Sequence, residues 1–330
     1  MRVRLHLQSS RHGLMQTAKQ RFTDLCTSEV HIPLFSQAWW LDAVCPPHEW
    51  DVILFEEHGI IEAALPYQLS RKWGIRFVIN PSLTQGTGMW YRKYEGESEQ
   101  DRLSREKKAA AHVVAELKRL KLAFFMQHFS PDITNWLPFY WSGFSQTTRY
   151  TYRIPDISNP QTCLEAMSYA KQKQIRKAEA LSVTTSITAD AFYRHHELSL
   201  HAKGKKIFYP KELLQRIYDA ASARNQLLVI GLQDAQGALH AALWIVYDGH
   251  CAFNLISSIA PEYASSGASS RVVYEALNHL KDKCRTFDFE GSMDEGIENS
   301  FRQFGALQTP YFRVSKAYNR LVFAAVKGKL

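Results

Sequence analysis

The apolar residues of this chain follow two spacings, one typical of helices and one typical of strands. Apolar residues recur every three or four positions in three segments, which predicts amphipathic helices over 103–122, 213–221 and 272–280. Short runs rich in β-branched and aromatic residues predict strands over 52–55, 60–65, 75–79, 123–126, 227–232, 239–247, 251–256 and 286–290. Because helices and strands alternate along the chain, the fold class is α/β or α+β.

The order of these elements occurs twice. One helix is predicted to begin near Ser36, 16 residues before the strand at Val52. Another is predicted to begin near Lys211, also 16 residues before the strand at Leu227. Each strand then turns at a glycine into a second strand, and the two turns read Gly59–Leu65 (GIIEAAL) and Gly237–Leu243 (GALHAAL). A long helix and a buried strand follow in both copies. The sequence therefore predicts a duplicated unit.

Two prolines, Pro155 and Pro160, mark the predicted boundary between the copies, near 149–159. We expect a first domain over 1–150 and a second domain over 151–312. The remaining tail, 313–330, is expected to return to the first domain. The predicted architecture is thus a tandem pair of α/β domains, each with a mixed central sheet flanked by helices.

The composition is that of a globular protein, since 45% of the 330 residues are hydrophobic and 22% are charged. It excludes a disordered, collagenous or coiled-coil chain. No apolar run reaches the roughly 18 residues that a membrane span requires, and the basic start of the chain lacks the apolar stretch of a signal peptide. We therefore expect a cytoplasmic protein without a transmembrane segment. The five cysteines show no CxxC spacing, which predicts free thiols.

The net charge of +8 is distributed unevenly. Residues 151–230 carry +5, residues 231–312 carry −5, and residues 313–330 carry +5. A polyanionic ligand such as a nucleotide, coenzyme A or tRNA would be attracted to the basic flanks. We expect no DNA partner. A solvated basic surface without a ligand is the alternative interpretation.

A loop of small residues leads into the helix predicted near 268. Gly267, Ala268 and Ser269 would offer free backbone N–H groups and the positive end of the helix dipole to a pyrophosphate. Gly267 would also let the backbone approach the ligand closely. The alternative is an ordinary helix start capped by serine.

The strand predicted over 286–290 ends in two carboxylates. Alternation along a strand would put Asp288 and Glu290 on one face, where two like charges so close would raise the pKa of at least one carboxylate. A carboxylate with a raised pKa is a candidate general base for an amine nucleophile. An ion pair or an exposed strand edge is the alternative. Gly291 breaks the strand where a ligand could approach, and Arg302 could bind a phosphate or carboxylate through two hydrogen bonds.

Several short segments together resemble the FemABX peptidyltransferases, within the wider GNAT fold of acyl-CoA N-acyltransferases. Lys173–Glu179 (KQIRKAE) resembles the basic helix of that family, and Phe287–Ser292 (FDFEGS) resembles the end of its conserved strand. Phe301–Gly305 (FRQFG) is similar to its F-K-K-G-F segment, and Pro261–Ala268 lies at the position of the GNAT phosphate loop. The likeness covers nearly the whole chain, and its specificity lies in the order of the motifs.

The resemblance implies two GNAT-like domains, with an acyl donor held by the second domain and an acceptor in the cleft between them. Family members attach an amino acid from aminoacyl-tRNA to a cell-wall peptide precursor, whereas other proteins of the fold use acyl-CoA. We therefore expect an acyltransferase that forms an amide on an amine acceptor. Its co-substrate would be acyl-CoA or aminoacyl-tRNA, with no permanently bound cofactor and no metal.

The resemblance also assigns roles to residues of this chain. The general base would be Glu290 or Asp288. Donor binding would fall to Gly267, Ala268, Ser269, Ser292 and Arg302, and acceptor or anion binding to Lys173, Arg176 and Lys177. Arg302 stands where the family has a lysine, and the loop before the helix lacks the basic form of the GNAT phosphate loop. Two alternatives stay open: a small-molecule acetyl-CoA N-acetyltransferase and a non-catalytic relative that binds tRNA or a nucleotide.

Overall fold

The computed structural model describes residues 16–291 and 293–326. The basic start of the chain, Ser292 and the last four residues therefore lie outside the described residues. The helices are α1 (Ala18–Ser28), α2 (Ala38–Val44), α3 (Glu99–Arg119), α4 (Leu137–Trp141), α5 (Pro160–Ala166), α6 (Tyr169–Lys177), α7 (Ala189–His201), α8 (Lys211–Ser222), α9 (Ala268–Leu280), α10 (Glu295–Arg302) and α11 (Arg320–Val326). The strands are β1 (Trp50–Glu57), β2 (Ile60–Lys72), β3 (Ile75–Ile79), β4 (Trp90–Tyr91), β5 (Phe124–His128), β6 (Ser145–Ile154), β7 (Ser182–Thr184), β8 (Leu227–Gln233), β9 (Leu239–Tyr247), β10 (Cys251–Ile259), β11 (Thr286–Asp288) and β12 (Leu307–Ala317).

The twelve strands of the described residues form one continuous mixed sheet. Eleven of them follow the order β1-β2-β3-β5-β12-β6-β11-β10-β9-β8-β7, and β4 pairs with β2. Helices cover both faces of this sheet. The predicted fold class is therefore confirmed.

The two halves of the sheet are built alike. Each half contains an antiparallel pair of consecutive strands, β1 with β2 in the first half and β8 with β9 in the second. Each continues with a parallel pair joined through a long helix, β3 with β5 across α3 and β10 with β11 across α9. The two similar segments Gly59–Leu65 and Gly237–Leu243 predict a duplication, and the strand topology contains it.

Two strands at the centre of the sheet join the halves. β6 and β12 pair with each other from Leu307↔Arg153 to Ser315↔Ser145, while β6 also pairs with β11 and β12 also pairs with β5. The sequence pattern predicts neither strand, because β6 is polar along much of its length and β12 contains Pro310. Residues 149–154, where the prolines suggest a boundary, thus belong to a central strand.

The core contains a cluster that spans both halves. Trp40 of α2 and Trp244 of β9 are fully buried in it, and α2 lies against α8. The guanidinium of Arg216 donates to the carbonyl of Ala43 across this contact (2.9 Å). Two further clusters lie under α3 and under α9. Since one cluster draws on both halves, the halves are packed as one body.

The five cysteines are free, as predicted. Four of them are buried and Cys26 is half-buried. Burial raises the pKa of Cys26 to about 11 and that of Cys284 to about 12, so these thiols stay protonated near neutral pH. Among the described residues, no helix has both the length and the hydrophobicity to cross a membrane.

Candidate active site

The parallel strands β10 and β11 separate after three paired residues. Pairing runs from Cys251↔Thr286 to Phe253↔Asp288, and β10 then contains a bulge between Asn254 and Ile256. A bulge bends its strand and increases the local twist, and β11 ends at the same level, at Asp288. A cavity of about 530 Å³ lies in the gap, bordered by β10, α9, α10 and Lys171 of α6. We call it the strand-gap cavity.

The start of α9 borders this cavity. Gly267 precedes the helix with a φ of 86°, and a Cβ at this position would collide with the carbonyl of Gln174 in α6. The glycine is thus required by the close packing of α6, rather than by the ligand approach that the sequence suggests. Ala268 is buried, and Ser269 lines the cavity. Of these three predicted donor residues, Ser269 is the one that reaches the cavity wall.

Glu290 lines the strand-gap cavity with an unusual backbone. Its φ is 60°, its N–H donates to the carboxylate of Asp288 (2.7 Å), and its carbonyl accepts from the side chain of Gln85. The carboxylate oxygen Oε1 of Glu290 is buried and has no hydrogen-bond partner among the described residues. Burial, and secondarily the charge of Asp288, raise the pKa of Glu290 well above its usual range.

Asp288 lies in a different environment. Its side chain is buried and accepts hydrogen bonds from Thr151, from the guanidinium of Arg153 (2.7 Å) and from the N–H of Glu290. The expectation that both carboxylates share one strand face is wrong, because β11 ends at Asp288 and the alternation stops there. The two carboxylates line different cavities. The hydrogen bonds of Asp288 hold the segment that carries Glu290.

The cavity that Asp288 lines lies between the two halves. This central cavity has a volume of about 290 Å³. The first half contributes Gln85 and Asp132, and the second contributes His250 and Asp288. Arg153 of β6 lies between them, 3.9 Å from the carboxylate of Asp132. The structure thus contains a cleft between the copies, with charges of both signs.

Lys171 was missed as an individual site residue, since the sequence shows it only as part of a basic cluster. It is 8% exposed, and its Nζ donates to the hydroxyl of Ser300 (3.0 Å) and lies 4.3 Å from the ring centre of Phe304. Burial lowers the pKa of Lys171. The sequence feature that could have predicted this burial is the position of Lys171 four residues before Ile175. This spacing puts both side chains on the buried face of α6.

The remaining predicted cations lie outside both cavities. Lys173, Arg176 and Lys177 are exposed on α6, and Lys177 donates to the carbonyl of Ser265 (2.6 Å). The guanidinium of Arg302 binds two side chains of its own helix, Glu298 (3.2 Å) and Asn299 (3.0 Å). Anion binding by these four residues stays a prediction, and neither cavity lining supports it. Ser292, the other predicted donor residue, lies outside the described residues.

Residues 167–299 match the family model described as "Acetyltransferase (GNAT) domain". This segment contains the bulged strand β10, the helix α9 and Glu290, and therefore most of the strand-gap cavity. This part of the second half is therefore similar to a GNAT acetyltransferase domain. The predicted enzyme class, acyltransferase, is confirmed at this level. A comparison with curated proteins found no match.

Solved structures share the fold over almost the whole chain. "Crystal structure of FemX" superposes with a TM-score of 0.70 at 11% identity and covers 95% of this chain and 99% of that one. A tandem GNAT protein from the clavulanic acid biosynthesis pathway has a TM-score of 0.53 at 10% identity, over 84% and 86% of the two chains. The structure of L-PGS from Bacillus licheniformis has a TM-score of 0.52 at 10% identity and covers 88% of this chain and 90% of that one. The FemX-like tandem GNAT fold is thus confirmed.

Proposed function

We propose that this chain is an acyl-CoA-dependent N-acyltransferase that forms an amide on an amine acceptor. The observation that supports this most directly is the buried carboxylate oxygen Oε1 of Glu290, which lines the strand-gap cavity and has no hydrogen-bond partner in the described part of the chain. A buried carboxylate without a partner costs free energy and is typical of a catalytic base. A non-catalytic relative would have no use for such a group.

The donor is proposed to occupy the strand-gap cavity. Its volume falls within the range of small-molecule sites. The start of α9 and the hydroxyl of Ser269 would receive the phosphates of coenzyme A. The ammonium of Lys171, which lines the same cavity beside Ser300 of α10, would supply a positive charge. Acyl-CoA is preferred over aminoacyl-tRNA because the family model that matches this half is that of an acetyltransferase.

The acceptor is proposed to occupy the central cavity. Asp132 could bind an ammonium group there, and Lys93 and Arg153 could bind a carboxylate or phosphate. An acceptor with both kinds of charge, such as an amino acid or a peptide, suits this lining. The cell-wall peptide precursor implied by the FemABX resemblance has this character and is the acceptor that we would test first.

The proposed reaction is a direct transfer. The neutral amine nitrogen attacks the carbonyl carbon of the thioester, so that a C–N bond forms and the C–S bond breaks. Glu290 accepts the proton of the amine, and the thiolate of coenzyme A leaves and takes this proton, which restores the carboxylate of Glu290. The raised pKa makes Glu290 a stronger base than an ordinary glutamate. Asp288 lines the central cavity and Glu290 lines the strand-gap cavity, which supports a base close to both proposed substrates.

Calorimetric titration with acetyl-CoA tests the proposal. The variant Ser269→Tyr fills the strand-gap cavity, and Ser104→Tyr adds the same bulk to an exposed position of α3 in the first half. We expect saturable binding to the native chain and to Ser104→Tyr, and no binding to Ser269→Tyr. Amide formation on added amines is then followed by mass spectrometry.

Absence of acetyl-CoA binding to the native chain would contradict the proposed donor. Charged and uncharged tRNA are compared in the same titration. If the chain binds aminoacyl-tRNA but not acetyl-CoA, the donor is aminoacyl-tRNA, and the proposed acyl transfer to an amine is retained. Binding of either donor without any product from a panel of amines and peptides would favour the non-catalytic alternative.

A further inference from the structure

One end of the sheet brings together three turns that are distant in sequence. The β2–β3 hairpin turns at Trp73, α3 leads into β5 through Lys121, and β12 leads into α11 through Asn319. Hydrogen bonds connect the three turns, since the N–H of Ala123 donates to the carbonyl of Arg76 and the N–H of Asn319 donates to the carbonyl of Ala123, both at 2.8 Å. We call this region the hairpin end.

The hairpin end exposes two large apolar side chains. Trp73 is 87% exposed and Leu321 is 84% exposed, the highest values for large hydrophobic residues in the described part of the chain. The helix that carries Leu321 is anchored beneath, because the ring of Phe323 lies 5.7 Å from that of Phe124. Single exposed apolar residues are common, but the two most exposed ones share one end of this molecule.

Positive charge surrounds these two side chains. Six cations at the hairpin end take part in no ion pair among residues 16–291 and 293–326: Arg71, Lys72, Arg76, Lys118, Lys121 and Arg320. The ammonium of Lys72 lies 4.8 Å from the ring centre of Trp73. The nearby carboxylate of Glu116 is already paired with Arg119. The hairpin end is therefore complementary to a surface of negative charge.

We propose that the hairpin end docks on an anionic lipid surface. Trp73 and Leu321 would enter the headgroup region, and the six cations would face acidic headgroups. A lipid surface fits better than a nucleic acid, because the aliphatic side chain of Leu321 gains nothing from phosphates or bases but gains from an apolar boundary. Residues 129–132, which border the central cavity, follow β5 at its other end, so that docking leaves this cavity open.

Vesicle co-sedimentation of the full chain tests the proposal. Vesicles of phosphatidylglycerol mixed with phosphatidylcholine are compared with vesicles of phosphatidylcholine alone. We expect binding to the anionic vesicles that weakens as salt is added. The double variant Arg71→Gln with Lys72→Gln should lower the partition coefficient about 30-fold. The matched control, Lys205→Gln with Lys206→Gln, removes two exposed cations from the second half and should keep it.

A second pair of variants tests the apolar contact. In Trp73→Asn the indole ring is lost, but asparagine tolerates the positive φ of 51° at this turn. This variant should lower the partition coefficient about tenfold. Phe208→Asn removes an aromatic ring that is 78% exposed in the second half and should have no effect.

No binding to anionic vesicles at low salt would overturn the proposal, as would equal binding by the hairpin-end variants and their controls. Tight binding of tRNA that displaces the vesicles and is unchanged in Leu321→Ser would assign the surface to nucleic acid instead. The assay does not involve the acyl donor, so its outcome is independent of the proposed reaction.

Discussion

The two halves of this molecule share one topology, yet only the second opens its parallel strand pair into the strand-gap cavity. In the first half, β3 pairs with β5 at Phe77↔Phe124 and Val78↔Phe125. The loop after β3 then returns to the sheet, where Thr87 forms a further parallel bridge with Phe129. In the second half, the pairing of β10 with β11 stops at Phe253↔Asp288, and β10 has a bulge directly after this point. The first half is therefore closed by its own loop at the place where the second half opens.

A network of hydrogen bonds holds the closed loop. Asn80 donates to the carbonyl and hydroxyl of two loop residues, Thr84 and Thr87 (both 3.3 Å), and accepts from the N–H of His128 (2.8 Å). Gly88 lies against the ring of Phe129 so closely that a Cβ would collide with it. The comparison teaches that a duplicated scaffold can keep its strands and helices while one short loop decides whether a ligand can enter.

The largest expected effect is that of Glu290→Gln on turnover. The amide cannot accept the proton of the amine, so kcat should fall by about 10² to 10⁴-fold, while the acetyl-CoA affinity changes little. The measurement is steady-state amide formation together with calorimetry. Glu298→Gln on α10, which lies outside both cavity linings, is the matched control. An equal decrease of kcat in Glu298→Gln, or an unchanged kcat in Glu290→Gln, would contradict the role of Glu290 as the base. The second half would then have no catalytic residue that distinguishes it from the first.

The pH dependence follows from the same residue. Because the pKa of Glu290 is raised, kcat/KM should increase with pH until Glu290 is deprotonated, above the usual range of a glutamate. The folded state also retains this proton longer than the unfolded state. The free energy of unfolding should therefore decrease as pH rises from the unfolded pKa through the raised one, and Glu290→Gln should flatten this slope. Chemical denaturation across this pH range measures it, and an unchanged slope in the variant would contradict it.

The next effect concerns the glycine before α9. Gly267→Ala would force a Cβ against the carbonyl of Gln174 at a positive φ, and should lower the free energy of unfolding by more than about 2 kcal/mol. Gly96→Ala in the first half has a positive φ but open space, and should cost about 1 kcal/mol. Urea denaturation compares them. Equal stability losses would show that the packing of α6 does not require Gly267.

The smallest effect is expected from loosening the closed loop. Asn80→Ala removes three hydrogen bonds, two of them long, and should lower the free energy of unfolding by about 1 to 2 kcal/mol in urea denaturation. We expect no second acetyl-CoA site, because β3 has neither a bulge nor a carboxylate like Glu290 beside it. If calorimetry shows two acetyl-CoA molecules bound per chain of Asn80→Ala, the closed loop is the feature that keeps the first half from binding the donor.

Much of the fold was predictable because it is encoded locally. All eight predicted strands are present, and β3 and β9 match at both ends. The largest difference is in β2, which continues to Lys72 instead of ending at the predicted Leu65. The central strands β6 and β12 were not predictable, since their stability comes from neighbours on both sides rather than from their own polar sequences. A linker and a central strand look alike in the sequence when the partner strands are distant.

The candidate site divides in the same way. The sequence by itself determined the duplicated order of elements, the free thiols and the presence of carboxylates at Asp288 and Glu290 next to a strand end. Only the tertiary structure decided that Arg153 pairs with Asp288, while Oε1 of Glu290 has no hydrogen-bond partner among residues 16–291 and 293–326. It also decided that Lys171 is buried in the cavity wall. The physical reason is that periodicity reports which face of an element is buried. It does not report where a strand stops, or which distant charge lies beside a side chain, because both depend on contacts between residues far apart in the chain.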